Sequence, residues 1–155
     1  MDLSPIDLKT VRLLAQNGRM SWADLGAAIG VTAPAAAERV HRLEQKGVIR
    51  GFAAVIDAES VGFGLTAFVS VTLDRPKHRG PFLKWSQKHA EVLEVHHVAG
   101  EDDYLLKIRC RDTADLDRLL SDELKDLDGV RRTRTTIVMK TEKEAQIAPF
   151  GKGPN

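Results

Sequence analysis

Residues 21–47 read SWADLGAAIGVTAPAAAERVHRLEQKG, and this stretch decides how the first third of the chain folds. Ser21, with Asp24 three residues later, repeats the pattern of a capping box and opens a helix. Leu25, Ala28 and Ile29 are predicted to face inward on it. Gly30 stops the helix. Thr32 caps a second one, in which Ala36, Val40 and Leu43 form a single apolar stripe before Gly47 closes it. Helix, the tight turn Gly30-Val31-Thr32, then helix is a helix-turn-helix arrangement. The small residues Ala27, Ala28, Ala36 and Ala37 let the two helices cross closely.

A third helix precedes these two. Ser4-Pro5-Ile6-Asp7 supplies a hydroxyl cap, a proline in the first turn and a carboxylate three residues after the cap. Ile6, Thr10, Leu13 and Leu14 follow at helical spacing, and Asn17-Gly18 ends the element. A helix that enters the major groove needs short side chains at its N-terminal end and basic ones nearby. Thr32, Pro34 and Ala35 supply the first, and Arg39 and Arg42 the second, with Glu38 between them. Ser21, at the start of the preceding helix, and Arg50, in a short wing or exit strand over Gly47–Phe52, complete the candidate DNA contacts. The bland alternative is an alanine-rich, solvated helix of a three-helix core.

From residue 61 the period changes. Leu65, Ala67, Val69, Val71 and Leu73 alternate with Thr66, Phe68, Ser70 and Thr72, the pattern of a strand with one buried face. Arg75-Pro76 breaks it, and Pro81 opens a helix carrying Phe82, Trp85, Ser86 and His89. A strand from Val92 to Ala99, a tight connection at Gly100-Glu101-Asp102 and a strand from Tyr104 to Cys110 follow. Asp112 or Thr113 caps a helix with Leu116, Leu119, Leu120, Leu124 and Leu127 inward, and Val130 to Lys140 is a final strand. The order βαββαβ is the ferredoxin-like plan, with both helices on one face of an antiparallel sheet. Phe68 on the other face favours a partner chain.

The expected organisation is therefore α+β. A winged helix-turn-helix spans 1–52, a hinge strand 53–60, a ferredoxin-like sensing and dimerisation domain 61–140, and a loosely held tail 141–155. Composition fits. The chain has 155 residues, 43% hydrophobic and 29% charged, enough to bury a core. Its net charge of +1 carries no information until it is located: residues 1–50 hold seven basic and five acidic side chains, and Arg39, Arg42, Lys46 and Arg50 cluster. No apolar run approaches the ~18 residues of a membrane span, and the first residues lack a secretory pattern. Cys110 is the single cysteine, which fits a reducing cytoplasm.

The segments IDLKTVRLLAQNGRMSWADLG, AERVHRLEQKGVIRGF, AGEDDYLLKIR and DGVRRTRTTIV together resemble the Lrp/AsnC (feast/famine) family of transcription regulators, over nearly everything from Leu3 to Met139. The resemblance implies a winged helix-turn-helix joined to a ferredoxin-like domain that pairs into dimers. Such dimers commonly assemble further, often to octamers, and respond to amino acids or related small molecules. Relatives usually carry a basic residue where this chain has Glu38, and a proline where it has Ala35. In the family's effector loop a small hydroxyl residue stands where this chain has Ala99, while Gly100, Asp103 and Tyr104 match. Glu38 puts the operator sequence in question, not the mode of binding.

A free amino acid presents an ammonium and a carboxylate, so its pocket needs an anionic acceptor beside backbone donors. Gly100 permits close backbone approach, Glu101, Asp102 and Asp103 supply acceptors, and Thr133 and Thr135 could supply hydroxyls. Val98, Ala99 and Tyr104 complete the candidate effector loop. Taken alone, a glycine followed by acidic residues also describes an ordinary turn. Elsewhere the signals are weak. His96 and His97 point to opposite faces of a strand and cannot chelate together, and Cys110 lacks a CxxC partner, so no metal is expected. No nucleophile or acid/base set converges, and no catalytic residue or cofactor is expected. Arg132 and Arg134 share a face opposite Arg131 and are expected to meet acidic groups of a neighbouring subunit or solvent.

The first reading is a sequence-specific DNA-binding regulator whose activity or assembly is modulated by an amino acid or related small molecule, acting as a dimer or larger homo-oligomer on a roughly palindromic site. The alternatives are an architectural DNA-wrapping protein and a ferredoxin-like small-molecule domain without DNA binding.

Overall fold

The computed structural model describes residues 3–144, and within it the chain divides into two compact units, one ending at Val55 and the other spanning Ile56–Lys143. The first holds three helices, α1 (Pro5–Gln16), α2 (Trp22–Ile29) and α3 (Ala33–Gln45). Ser4 and Asp7 form the full capping box of α1. Ser21 and Thr32 cap α2 and α3 through Asp24 N–H and Ala35 N–H. Gly30 ends α2 in the left-handed region, at φ 78°. Leu14, Leu25, Ile29, Ala36 and Val40 form the core, with Leu13, Met20, Val31 and Ile49 packed against it. Thr10 is fully buried, and its hydroxyl donates to the Ile6 carbonyl at 2.8 Å, which satisfies it inside an apolar core. Ile6, expected inward, is exposed at the first turn.

The residue that sets the approach of α2 to α3 is Gly26. A Cβ there would lie 2.7 Å from the Val31 carbonyl oxygen and 3.1–3.2 Å from backbone atoms of Thr32 and Ala33. The close crossing expected at the alanines is tightest elsewhere. Ala36 is indeed fully buried, but the tightest contact is made where there is no side chain at all.

The second unit is β1 (Leu65–Leu73), α4 (Arg79–Lys88), β2 (Val92–His97), β3 (Tyr104–Cys110), α5 (Thr113–Asp117) continued by a π-helical stretch Arg118–Leu124, and β4 (Val130–Ile137). The antiparallel sheet has the order β2-β3-β1-β4, the ferredoxin-like arrangement. Ala67, Val69 and Val71 of β1 and Tyr104, Leu106, Ile108 and Cys110 of β3 are buried under Phe82, Trp85, Leu116, Leu119, Leu120 and Leu124 from the helices. The opposite face is open and carries Phe68, 36% exposed. β2 and β4 end at His97 and Ile137, earlier than Ala99 and Lys140 as read from sequence, because the pairing register with β3 and β1 runs out there.

Two expected strands do not form in the single chain. Gly47–Phe52 and Ala53–Ser60 have no strand partner; the second passes into a turn in which Gly62 N–H donates to the Glu59 carbonyl. A strand is defined by its ladder, and no described segment lies alongside to supply one. Phe52, Val55 and Ile56 are left exposed along this connection. Of the expected tail, residues 145–155 lie outside the described residues.

Candidate functional site

The helical wheel of α3 sorts its side chains into two sets. Ala36, Val40 and Leu43 are buried, whereas Pro34, Ala35, Glu38, His41, Arg42 and Gln45 are exposed on the other side. This outward face carries Arg42 and Glu38, with Glu44 also exposed near the end of the helix, while Gln45 Nε2 lies 3.0 Å from His41 Nε2. Arg39 does not belong to it. Its side chain is half-buried and its guanidinium meets the Asp7 carboxylate of α1 at 2.5 Å. Asp7 is also the acceptor of the α1 cap, taking the Ser4 hydroxyl at 2.7 Å. Those bonds, the Ser4 hydroxyl first and then Arg39, hold the Asp7 carboxyl below its ordinary value. Arg39 is thus turned from the groove-facing side to an α1–α3 clasp. The signal was present in the sequence: on a 100° wheel Arg39 sits beside the Leu43 stripe, and Arg42 does not.

The other candidate contacts in this unit are placed as follows. Thr32 and Ser21 are exposed, and each spends its hydroxyl on the cap; Ser21 also donates to Asp24 at 2.6 Å. Arg50 is exposed beyond α3. Trp22, which sequence reading passed over, opens α2 with 46% of its surface exposed.

In the second unit the loop 98–104 is tied down by Asp103. Its N–H donates to the Val71 carbonyl at 3.0 Å, its carbonyl accepts from Val98 N–H, and its carboxylate accepts from Leu73 N–H at 2.7 Å. Asp103 therefore closes the end of β1 with one of its carboxylate oxygens. Asp102 is also committed. It is buried and accepts from the Thr72 hydroxyl at 2.9 Å, Arg132 at 3.0 Å and Arg134 at 2.9 Å. The Thr72 bond, followed by the two guanidinium groups, lowers its carboxyl below the ordinary value. The two arginines thus meet an acid of their own chain, where the sequence suggested a neighbour's. Glu101 is the loop carboxylate left exposed.

Two hollows flank this loop. One, of about 330 Å³, opens beside the uncovered sheet face and is lined by Ser70, Val98, Gly100, Glu101, Asp102, Leu105 and Arg134. Thr133 and Thr135 do not line it. They pair with Val71 and Val69, which point to the helix-covered side, whereas Arg134 pairs with Ser70 on the open side. Ala99 is exposed at the rim of the loop. The second hollow, of about 380 Å³, lies at the end of β1 and takes in Asp103 and Tyr104. Among the described residues no helix is long and apolar enough to cross a membrane, and no three His, Cys, Asp or Glu side chains converge to hold a metal.

Comparison with known proteins covers both units. Residues 3–44 match the AsnC-type helix-turn-helix domain and residues 66–147 the Lrp/AsnC ligand binding domain. The leucine-responsive regulatory protein of Haemophilus influenzae is 39% identical over 147 residues, which is 94% of this chain and 89% of that protein. A transcriptional regulator of Neisseria meningitidis, solved as a complex with L-Met, superposes with a TM-score of 0.90 at 30% identity, covering 96% of this chain and 97% of the other. The leucine response regulatory protein of Mycobacterium tuberculosis superposes with a TM-score of 0.83 at 33% identity, covering 94% and 99%.

Proposed function

The chain belongs to the Lrp/AsnC family of transcriptional regulators, and from that premise we propose how its own residues do the family's work. It is a DNA-binding transcriptional regulator modulated by an amino acid. The outward face of α3 enters the major groove. Pro34 and Ala35 permit close approach, Arg42 reaches a guanine edge or a phosphate, and Glu38 accepts from a cytosine amino group. Arg39 positions α3 through Asp7 without touching DNA. Thr32 and Ser21 act through the helix starts they cap, whose free backbone N–H groups face phosphates, and Arg50 adds a backbone contact.

The effector occupies the hollow beside Gly100. Arg134 receives the carboxylate of the amino acid, since a guanidinium held by Asp102 through one nitrogen keeps further donors free. Glu101 receives the ammonium, and Leu105 and Val98 line the side-chain end. Asp103 positions the loop. With Ala99 in place of a hydroxyl, one hydrogen bond to the ligand is absent.

The working unit is a homodimer, assembling further. The support is the connection at Phe52, Val55 and Ile56, apolar and without a strand partner among the described residues, together with Phe68 on the uncovered sheet face. Two α3 helices then address half-sites about one helical turn, or a multiple of it, apart. The cytoplasm is the compartment that DNA binding requires.

The observation that carries this reading is the separation of Arg42 and Glu38, outward, from Arg39, inward, on one short helix. The experiment is selection of DNA sequences by the purified protein, repeated with a panel that includes L-Met and L-Leu. A palindromic consensus whose occupancy shifts with one amino acid, and no shift in Arg134→Gln, supports it. Enrichment of no sequence at all would refute sequence-specific binding and favour an architectural role.

A further inference from the structure

Of the five histidines, His41 alone lies in the helical unit; His78, His89, His96 and His97 all lie in the sheet unit. His41 stands on α3 three residues after Glu38 and next to Arg42, exposed on the face that also carries Pro34, Ala35 and Gln45. Histidine is the side chain whose charge changes between about pH 5 and 8.

The charge around it is balanced. Arg39 is paired with Asp7, which leaves Arg42 and Lys46 exposed against Glu38 and Glu44. A duplex is bound by cations that release counterions from its phosphates. A proton on His41 therefore turns a face with no net charge into a positive one.

Gln45 supplies the second observation. Its Nε2 lies 3.0 Å from His41 Nε2. A carboxamide nitrogen donates and does not accept, so the ring nitrogen accepts and the ring proton sits on Nδ1. Protonation makes Nε2 a donor, and rotation of the Gln45 amide brings its carbonyl oxygen to that hydrogen. The pair thus has a hydrogen bond to make in either state, and what changes is the charge. His41 also lies in the second half of α3. The first residues of a recognition helix meet base edges, and its later ones meet the flanking backbone.

We propose that His41 is a proton-dependent phosphate contact, so that binding of DNA takes up a proton at this ring and affinity rises as pH falls. The proposal rests on the reading that the outward face of α3 meets DNA. A phosphate beside the ring favours the imidazolium, so the complex holds more protons than the free protein and affinity falls as pH rises.

The test is the affinity of the full chain for one selected DNA site, measured from about pH 6 to about pH 8 at several salt concentrations. Affinity should fall several-fold as pH rises, and the slope of log affinity against log salt should become shallower by up to about 0.9 per protomer. His41→Gln should lose both changes. His41→Lys, whose charge persists over this range, should keep at the alkaline end the affinity it has at the acid end. His96→Gln, in the sheet unit, should behave as the wild type. A wild-type affinity that is flat across the range, or a pH dependence that survives in His41→Gln, would overturn the proposal. Arg42→Ala tells the two failures apart: if it weakens binding while pH does nothing, the role of His41 falls alone, and if it also changes nothing, the reading of the α3 face falls with it.

Discussion

Substituting Gly26→Ala tests whether α2 and α3 are held as described. The added methyl carbon would sit 2.7 Å from the Val31 carbonyl oxygen, and the next nearest atoms are also main chain. None of these can swing aside as a side-chain end could, so the turn itself must move. Overpacking of this kind costs about 1–3 kcal/mol. Alanine returns about 0.5–1 kcal/mol of helix propensity. Because the obstruction is backbone, the upper half of the first range applies, and the net loss is about 1–2 kcal/mol. For a unit of this size that lowers the melting temperature by about 5–15 °C. In a Trp85→Phe background, Trp22 fluorescence reports the first unit alone during thermal or urea unfolding. DNA affinity should fall as well, since the displaced turn re-aims α3. A Gly26→Ala protein as stable as the wild type, with unchanged DNA affinity, would refute the packing argument.

Three further outcomes are expected. The Cys110 thiol is pushed up to about 11, first by burial and then by the nearby Asp115 carboxylate, so it should resist a thiol reagent at pH 8 until the protein unfolds; rapid labelling of the native protein would contradict its burial. Asp115 is held at about 2, below the ordinary 3.8, chiefly by hydrogen bonds from Arg111. A folded value below the unfolded one stabilises above pH 3.8, and that contribution disappears as pH falls through about 2. The stability gap between wild type and Asp115→Asn should therefore close over that window, and a gap constant from pH 5 to pH 2 would exclude the linkage. Asp102→Asn should release Arg132 and Arg134 and alter the amino-acid response while DNA binding without effector persists; an unaltered response would detach Asp102 from the sensing site.

The sequence carried the periodicities well. The capping pairs Ser4–Asp7 and Ser21–Asp24, the glycine stop at Gly30 and the strict alternation through β1 each depend on neighbours within a few residues, and each reappears in the structure. What depended on distant partners was harder to see. Asp7 and Arg39 are 32 residues apart, and nothing local shows that the carboxylate of a cap would also claim a guanidinium of the third helix. Asp102 and Asp103 look alike in the string GEDDY, yet one holds two arginines and the other caps a strand end, because adjacent residues face different neighbours. The strands expected at Gly47–Phe52 and Ala53–Ser60 have no partner among the described residues, since strand formation is a property of a pair. Thr133 and Thr135 were read from alternation alone; the register with β1 puts them on the side away from the loop hollow.

The most direct test of the central claim is the salt dependence of DNA affinity for the wild type, Arg42→Ala and Arg39→Ala, measured on one selected site. If Arg42 of each protomer meets a phosphate, its removal lowers the slope of log affinity against log salt by about 1.8 per dimer. If it meets a guanine, affinity falls by about 1–3 kcal/mol per contact and discrimination at one base pair is lost. Arg39→Ala should instead lower the melting temperature of the first unit and leave both slope and base preference in place. Unchanged binding in Arg42→Ala, or the slope change appearing in Arg39→Ala alone, would mean that the outward face of α3 is not the surface that reads DNA.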